Sequence, residues 1–106
     1  MKGTYLKFYV HEHRRHGGIL MYEWLLERAK KLGIQGGSAF RAVASFGRHG
    51  IMREEHFFEM AGNLTVEVVF MATDEEAVQF LELIRQEKVD IFYVKMSAEY
   101  GVTTQD

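Results

Sequence analysis

The stretch Asn63 to Glu76, NLTVEVVFMATDEE, combines a strand pattern with the start of a helix. Every second position is apolar, which is the period of a strand that buries one of its faces. The apolar set is Leu64, Val66, Val68 and Phe70. Thr73 and Glu76 then have the spacing of a capping box, in which each side chain bonds the backbone amide of the other residue. The stretch predicts a β-strand over Asn63–Met71 and an α-helix that runs to about Gln86.

The same order of strand and helix precedes this stretch. Apolar residues alternate over Thr4–His11, which predicts a first strand. The spacing then becomes helical over Ile19–Leu32, and Gly33 supplies a left-handed stop. Two further strands are predicted from their apolar and branched residues, over Ser38–Phe46 and Ile91–Ala98.

These elements follow one another as β-α-β-β-α-β. Two such β-α units predict an α+β fold, the ferredoxin-like sandwich, with a four-stranded antiparallel sheet and two helices on one face. Right-handed crossovers put the first and third strands in the centre of the sheet. We expect a single domain over residues 1–106, with its core at 4–98, a long connection at 47–62 and a tail at 99–106.

Composition excludes several classes of function. The 106 residues carry a formal net charge of −2, so there is no global electrostatic attraction to nucleic acid or acidic lipid. Cysteine is absent, which removes disulfides, thiolate metal sites and cysteine nucleophiles. No apolar run approaches the roughly 20 residues of a membrane helix. We therefore expect a soluble, cytoplasmic protein without membrane insertion.

The sheet face opposite the helices is predicted to be amphipathic. Alternation assigns to it Tyr5, Lys7, Tyr9, Arg41, Val43, Thr65, Glu67, Val69, Ile91, Tyr93 and Lys95. Aromatic and branched residues interleaved with balanced charges favour an oligomer interface over a solvated face. RNA-recognition domains also use this face, but they need a basic surround and a basic-glycine-aromatic run. Glu67 lies in the middle of the predicted face and that run is missing, so no nucleic acid partner is expected.

Three histidines follow the first strand with the spacing H-x-H-x-x-H, at His11, His13 and His16. Neutral imidazoles at such spacing can ligate zinc, nickel or copper. The neighbouring Arg14 and Arg15 disfavour a cation, so a charged loop without metal is the other interpretation.

The connection after the second strand begins with Phe46, Gly47 and Arg48. Glycines let backbone amides approach an anion, and an arginine can pair with phosphate or carboxylate. Loops of this length are usually functional, and residues 53–60 have the spacing of a short helix. The serines lack the setting of a nucleophile and no paired inward carboxylates occur, so no enzyme is predicted.

The run Ser45-Phe46-Gly47-Arg48 resembles the G-F-G-R sequence that leads into the T-loop of the PII signal-transduction superfamily. Almost the whole chain is similar to the PII-like family known as domain-of-unknown-function family 190. The matching pieces are Leu6 to Val10, Glu12, His16 to Gly18, Leu20 to Glu23, Ala29 to Gly36, Arg41, Phe46 to Gly47 and Asn63 to Leu64.

This resemblance implies a homotrimer with ligand clefts between subunits. It implies a signalling or regulatory protein that binds a small anionic ligand or nucleotide and contacts a protein target. The residues predicted to hold the ligand are Arg41, Phe46, Gly47, Arg48 and Lys95. PII proteins use a glycine-rich loop before the last strand for adenine nucleotides, whereas the segment Gln86 to Asp90 has no glycine. The resemblance does not identify a cofactor. The alternative function is that of a metal-responsive protein similar to the CutA group, in which His11, His13 and His16 bind the metal.

Overall fold

A four-stranded antiparallel sheet carries two helices in the computed structural model, which describes residues 1–46 and 64–105. The predicted connection at 47–62 and its short helix at 53–60 lie outside the described residues. The elements, in chain order, are β1 Lys2–His11, β2 Arg15–His16, β3 Ile19–Leu20, α1 Met21–Leu32, β4 Gly36–Arg41, β5 Thr65–Ala72, α2 Asp74–Gln86 and β6 Phe92–Glu99.

The strand order of the sheet is β4-β5-β1-β6, and every neighbouring pair is antiparallel. The first and third long strands are therefore central, which confirms the predicted ferredoxin-like topology. Phe8 lies opposite Val68 on one side and opposite Tyr93 on the other, so these three residues share a face. The short β2 and β3 form a separate two-stranded ribbon.

The core lies between the sheet and the helices. The inward positions of β1 and β5 are buried, as the alternation predicts: Leu6, Phe8, Val10, Val66, Val68 and Phe70. The rings of Phe8 and Phe70 meet Phe80 of α2 edge to face, at centroid distances of 5.5 and 5.4 Å. Burying each such side chain contributes about 1.5–3 kcal/mol, so this layer fixes α2 on the sheet. Met21, Trp24, Leu25 and Ala29 of α1 are buried in the same core.

Both helix signals in the sequence are confirmed. Thr73 accepts a bond from the Glu76 amide and the Glu76 side chain accepts from the Thr73 amide, which is the capping box. Gly33 ends α1 in the left-handed region at φ 98°. None of the described helices is long and apolar enough to cross a membrane.

The loop predicted after β1 contains more structure than its polarity indicates. Gly17 and Gly18 have φ values of 59° and 88°, which build a tight turn between β2 and β3. Because Ile19 and Leu20 pair in this ribbon, α1 begins at Met21 instead of the predicted Ile19. β4 ends at Arg41, earlier than the predicted Phe46.

The facing predicted for the two edge strands is wrong by one residue. In β6, Phe92, Val94 and Met96 pair with Tyr9, Lys7 and Tyr5 and therefore share the uncovered face with them. Tyr93 and Lys95 lie opposite Phe8 and Leu6, on the helix side, and Ile91 packs against the core.

In β4, Phe40 lies opposite Glu67 on the uncovered face, while Arg41 lies opposite Val66 on the helix side. Val43 follows the end of β4. A shift of one residue moves every side chain of a strand to its other face.

The end of α2 contains a backbone feature that composition does not indicate. The amides of Lys88 and Val89 bond the carbonyls of Arg85 and Ile84, at 2.9 and 3.3 Å, in the arrangement that usually has glycine at its left-handed position. That position is Lys88, with φ 58°. A side chain in this region costs roughly 1–2 kcal/mol.

We expect Lys88→Gly to raise the free energy of unfolding by about 0.5–1 kcal/mol, because relief of the left-handed strain exceeds the added freedom of glycine in the unfolded chain. Urea unfolding followed by circular dichroism measures the change. Lys88→Ala is the control, since it removes the charge but keeps the Cβ atom. Equal stability of the glycine and alanine variants would contradict the strain.

Candidate functional site

Glu12 occupies the next inward position after Leu6, Phe8 and Val10, so the alternation of β1 carries its carboxylate to the helix side of the sheet. Only 6% of the residue is exposed. Its Oε1 accepts a bond from the Leu64 amide at 3.1 Å, and its Oε2 pairs with Nε of Arg41 at 2.8 Å. The Glu12 amide also donates to the Leu64 carbonyl at 3.0 Å. We call these three residues the Glu12 clamp.

The strand order explains why the clamp forms here. Arg41 ends β4 and Leu64 directly precedes β5, so they flank the long connection. Both lie beside the end of β1 because Arg41 is opposite Val66, which is opposite Val10. One buried carboxylate therefore holds the two chain segments on either side of the connection.

The clamp sets the electrostatics of the carboxylate. The hydrogen bond from the Leu64 amide lowers the pKa of Glu12 below its ordinary value of 4.5, and the charges of Arg41 and His13 lower it further. Burial acts in the opposite direction on this pKa, but does not cancel the effect. The ionised form is therefore the one that the fold stabilises.

A pocket of about 230 Å³ opens beside the clamp. Its walls come from the end of β1, the ribbon, the first turn of α1 and the strands β4 and β5: Glu12, His13, Leu20, Tyr22, Ala39, Arg41 and Val66. The Arg41 side chain is 68% exposed, and Glu12 is the one carboxylate of the described residues with which it pairs. Arg41 is thus a partly solvated cation whose guanidinium is anchored at Nε.

The other predicted ligand residues are not gathered in this pocket within one chain. Gly47 and Arg48 lie outside the described residues, and Phe46, the last residue before them, is exposed. Lys95 is on the opposite edge strand and is aligned with Leu6, whereas Arg41 is aligned with Val10. Three strand spacings across and four residues along the sheet separate Lys95 from Arg41 by roughly 20 Å.

The predicted histidine site is only partly assembled. The rings of His11 and His13 are 5.8 Å apart, and the His13 amide donates to Nδ1 of His11 at 3.1 Å. His16 instead contacts Trp24, at a ring distance of 4.6 Å, and Glu87, at 3.1 Å. Across residues 1–46 and 64–105, no three histidine, cysteine or acidic side chains form a group that could hold a metal ion. The metal site stays a prediction, and this geometry does not favour it.

Glu12 is not among the ligand residues predicted from the sequence, where it is named only as part of the family resemblance. The available signal was the period of β1: one further step of two residues beyond Val10 makes Glu12 inward, where a carboxylate requires a partner. Arg41 as that partner depends on the register of an edge strand, which the period does not determine.

We expect Glu12→Gln to destabilise the fold at pH 7 and to have less effect as the pH falls. The lowered pKa means that the contribution of Glu12 is complete above 4.5, the ordinary pKa, and is lost as the pH passes down through the folded-state pKa. Urea unfolding of both proteins from pH 7 to acid measures the difference. Glu23→Gln, on the exposed side of α1, is the control. A difference that stays constant down to strongly acidic pH would contradict the ionised clamp.

Comparison with known structures defines the class of fold. A putative PII-like signaling protein from Thermus thermophilus superposes with a TM-score of 0.62 at 16% identity, over 92% of this chain and 87% of that one. CPII, a nitrogen regulatory PII-like protein from Thiomonas intermedia K12, solved bound to ADP, AMP and bicarbonate, gives 0.67 at 14% identity, over 98% and 92%. The fold is that of PII-like proteins.

Sequence comparison gives the family. The model of the DUF190 family, described as "Uncharacterized ACR", matches residues 3–96. A UPF0166 protein from Aquifex aeolicus (strain VF5) is 31% identical in an alignment 102 residues long that covers 89% of this chain and 97% of that protein. The chain belongs to the DUF190 family, as its resemblance predicts.

Proposed function

We propose that the chain is a PII-like regulatory protein that assembles as a homotrimer and binds a small anionic ligand or nucleotide at the clefts between subunits. Arg41, Phe46, Gly47, Arg48 and Lys95 are the proposed ligand residues, and binding changes how the protein contacts a protein target. The observation that carries the proposal is Arg41, a partly solvated guanidinium that a buried carboxylate holds beside a pocket. Guanidinium groups recognise carboxylate and phosphate through paired hydrogen bonds.

The ligands of a related fold support the anionic character of the ligand. CPII from Thiomonas intermedia K12 has been solved with ADP and bicarbonate, and also with ADP, AMP and acetate. All of these are anions, and Arg41 is a residue that can bind one. A regulatory protein needs a ligand that interacts differently with two states of the chain. Arg41 is the last residue of β4, before the long connection, so a ligand bound to it can influence the position of that connection.

The uncovered sheet face supports assembly. Phe40 and Met96 on this face are 56% and 52% exposed. Between them, Lys7 pairs with Glu67 at 3.1 Å and lies 5.9 and 5.7 Å from the ring centres of Tyr5 and Tyr9. Exposed aromatic and methionine side chains are enriched in interfaces, and the pairing of Lys7 with Glu67 leaves neither charge without a partner when the face is covered.

Assembly also determines whether Arg41 and Lys95 can contact the same ligand. Arg41 and Lys95 lie at opposite edges of one sheet, so they can share one ligand only across a boundary between two subunits. The proposed cleft therefore depends on the trimer.

We expect sedimentation velocity at micromolar concentration to give three times the chain mass of 12.3 kDa. Val69→Lys should shift the protein to monomers, because Val69 lies opposite Lys7 on the uncovered face and a second unpaired cation there would be buried by assembly. Val78→Lys, at an exposed position of α2, is the matched control and should leave the trimer intact. A monomeric wild-type chain would overturn the assembly.

We expect at least one of ADP, AMP, ATP, bicarbonate and phosphate to bind the wild-type protein in calorimetric titrations. Arg41→Gln and Lys95→Gln should each weaken that binding about tenfold or more, since a charge-assisted hydrogen bond contributes about 1.5–3 kcal/mol. Lys30→Gln, on the exposed side of α1, is the control. The proposed function fails if none of the five compounds binds, or if both charge variants bind like wild type.

A further inference from the structure

The volume of the pocket beside the Glu12 clamp limits the size of what it can hold. At about 230 Å³ it is smaller than the roughly 300–1,000 Å³ of sites that enclose drug-sized ligands and cofactors. It is larger than a cavity of about 150 Å³ that takes up benzene. A ligand of roughly six to ten non-hydrogen atoms therefore fits inside it, whereas most of a nucleotide would lie outside its open mouth.

The walls divide this space into an apolar part and a cationic part. Leu20, Ala39 and Val66 line it with hydrocarbon, and Tyr22 adds a half-buried ring. Arg41 is the cation, at the end of β4. Glu12 lies behind it, with one carboxylate oxygen bonded to Arg41 and the other to the Leu64 amide. The carboxylate is thus already engaged by the protein itself.

From these walls we propose that the pocket is a site within one subunit for a small monocarboxylate with a short apolar chain. The inference rests on Arg41 as a ligand residue, as in the proposed function, and adds a second class of ligand at a site that needs neither Lys95 nor a neighbouring subunit. The ligand's carboxylate pairs with the terminal nitrogens of Arg41, and its chain lies against Leu20, Ala39 and Val66. A second carboxylate on the ligand would lose its hydration against this hydrocarbon. The lining side chain of His13, which could donate to it, already lies 3.8 Å from Oε1 of Glu12, which disfavours dicarboxylates.

In this site Glu12 is a positioning residue. Paired recognition of a carboxylate requires the flat guanidinium to be held in one orientation. The 2.8 Å contact uses Nε, the nitrogen nearest the side-chain stem, so it fixes the plane of the group without using the two terminal nitrogens for that contact. A lysine cannot reproduce this division of donors, since its ammonium is a single point of charge.

The test uses butyrate as the probe, with butyramide as its neutral isostere, succinate as the dicarboxylate and AMP as the nucleotide. Each is titrated into the intact protein and followed by calorimetry and by the amide spectrum in NMR. We expect butyrate to bind, with the shifts centred on Ala39, Arg41 and Val66. Butyramide and succinate should bind about tenfold more weakly or not at all, because they lose the ion pair or add an unpaired charge.

Three variants separate the parts of the site. Arg41→Lys should weaken the binding of butyrate about tenfold or more, since it keeps the positive charge but loses the paired N–H donors of the guanidinium. Ala39→Leu should block butyrate by filling the pocket while Arg41 stays in place. Glu12→Gln should weaken the binding of butyrate. It should also let the Arg41 Nε–H exchange faster with solvent. A variant that is merely less stable, but still folded under the conditions of the measurement, would not show this faster exchange. Lys30→Gln again serves as the control.

Each outcome decides between the two proposals. Equal binding of butyrate and butyramide, or butyrate binding that Ala39→Leu leaves unchanged, overturns the pocket assignment. If butyrate does not bind at millimolar concentration while AMP binds and depends on Arg41, the pocket assignment fails and the proposed function stands. If butyrate binds as expected and none of ADP, AMP, ATP, bicarbonate and phosphate does, the pocket assignment stands and the proposed function at the subunit cleft fails. If neither binds, both proposals fail.

Discussion

The ion pair between Glu12 and Arg41 joins parts of the chain that the sheet alone keeps separate. β1 and β4 are not neighbours, because β5 lies between them. The Glu12 side chain spans this gap by bonding Arg41 at the end of β4 and the Leu64 amide before β5. The ends of three strands are thereby fixed around one carboxylate, and the pocket with its ribbon wall is built on that arrangement.

The strand order determines where the remaining features lie. β5 and β1 are central, so their inward residues form the core and their outward residues form the middle of the uncovered face. β4 and β6 are edges, and their residues are largely exposed on both faces. Arg41 and Lys95 belong to these two edges, which is why a single chain separates them and why the proposed shared ligand requires a neighbouring subunit.

The facing of the central strands could be predicted from the sequence, whereas for the edge strands their existence could be predicted but their facing could not, for one physical reason. In β1 and β5 the burial of one face imposes strict alternation, and Val68 or Phe8 can point only inward. In β6 both faces carry apolar residues, so Phe92 and Tyr93 satisfy either register and alternation does not discriminate between them. The helix ends were predictable where one residue type satisfies the geometry, as at Thr73 and Gly33. Lys88 shows the limit, because a lysine adopts a backbone conformation that favours glycine.

The energetics of the clamp favour a role beyond stability. A buried ion pair recovers at most part of the cost of removing its charges from water, and apolar residues of similar size often stabilise a core as well. Glu12 is almost fully buried, yet its partner Arg41 is largely exposed, so only one of the two charges is committed to the interior. An apolar pair would fill the same space but would present no oriented cation to the pocket. The arrangement leaves the exposed side of Arg41 as an oriented cation, and this is the feature on which the proposed ligand site rests.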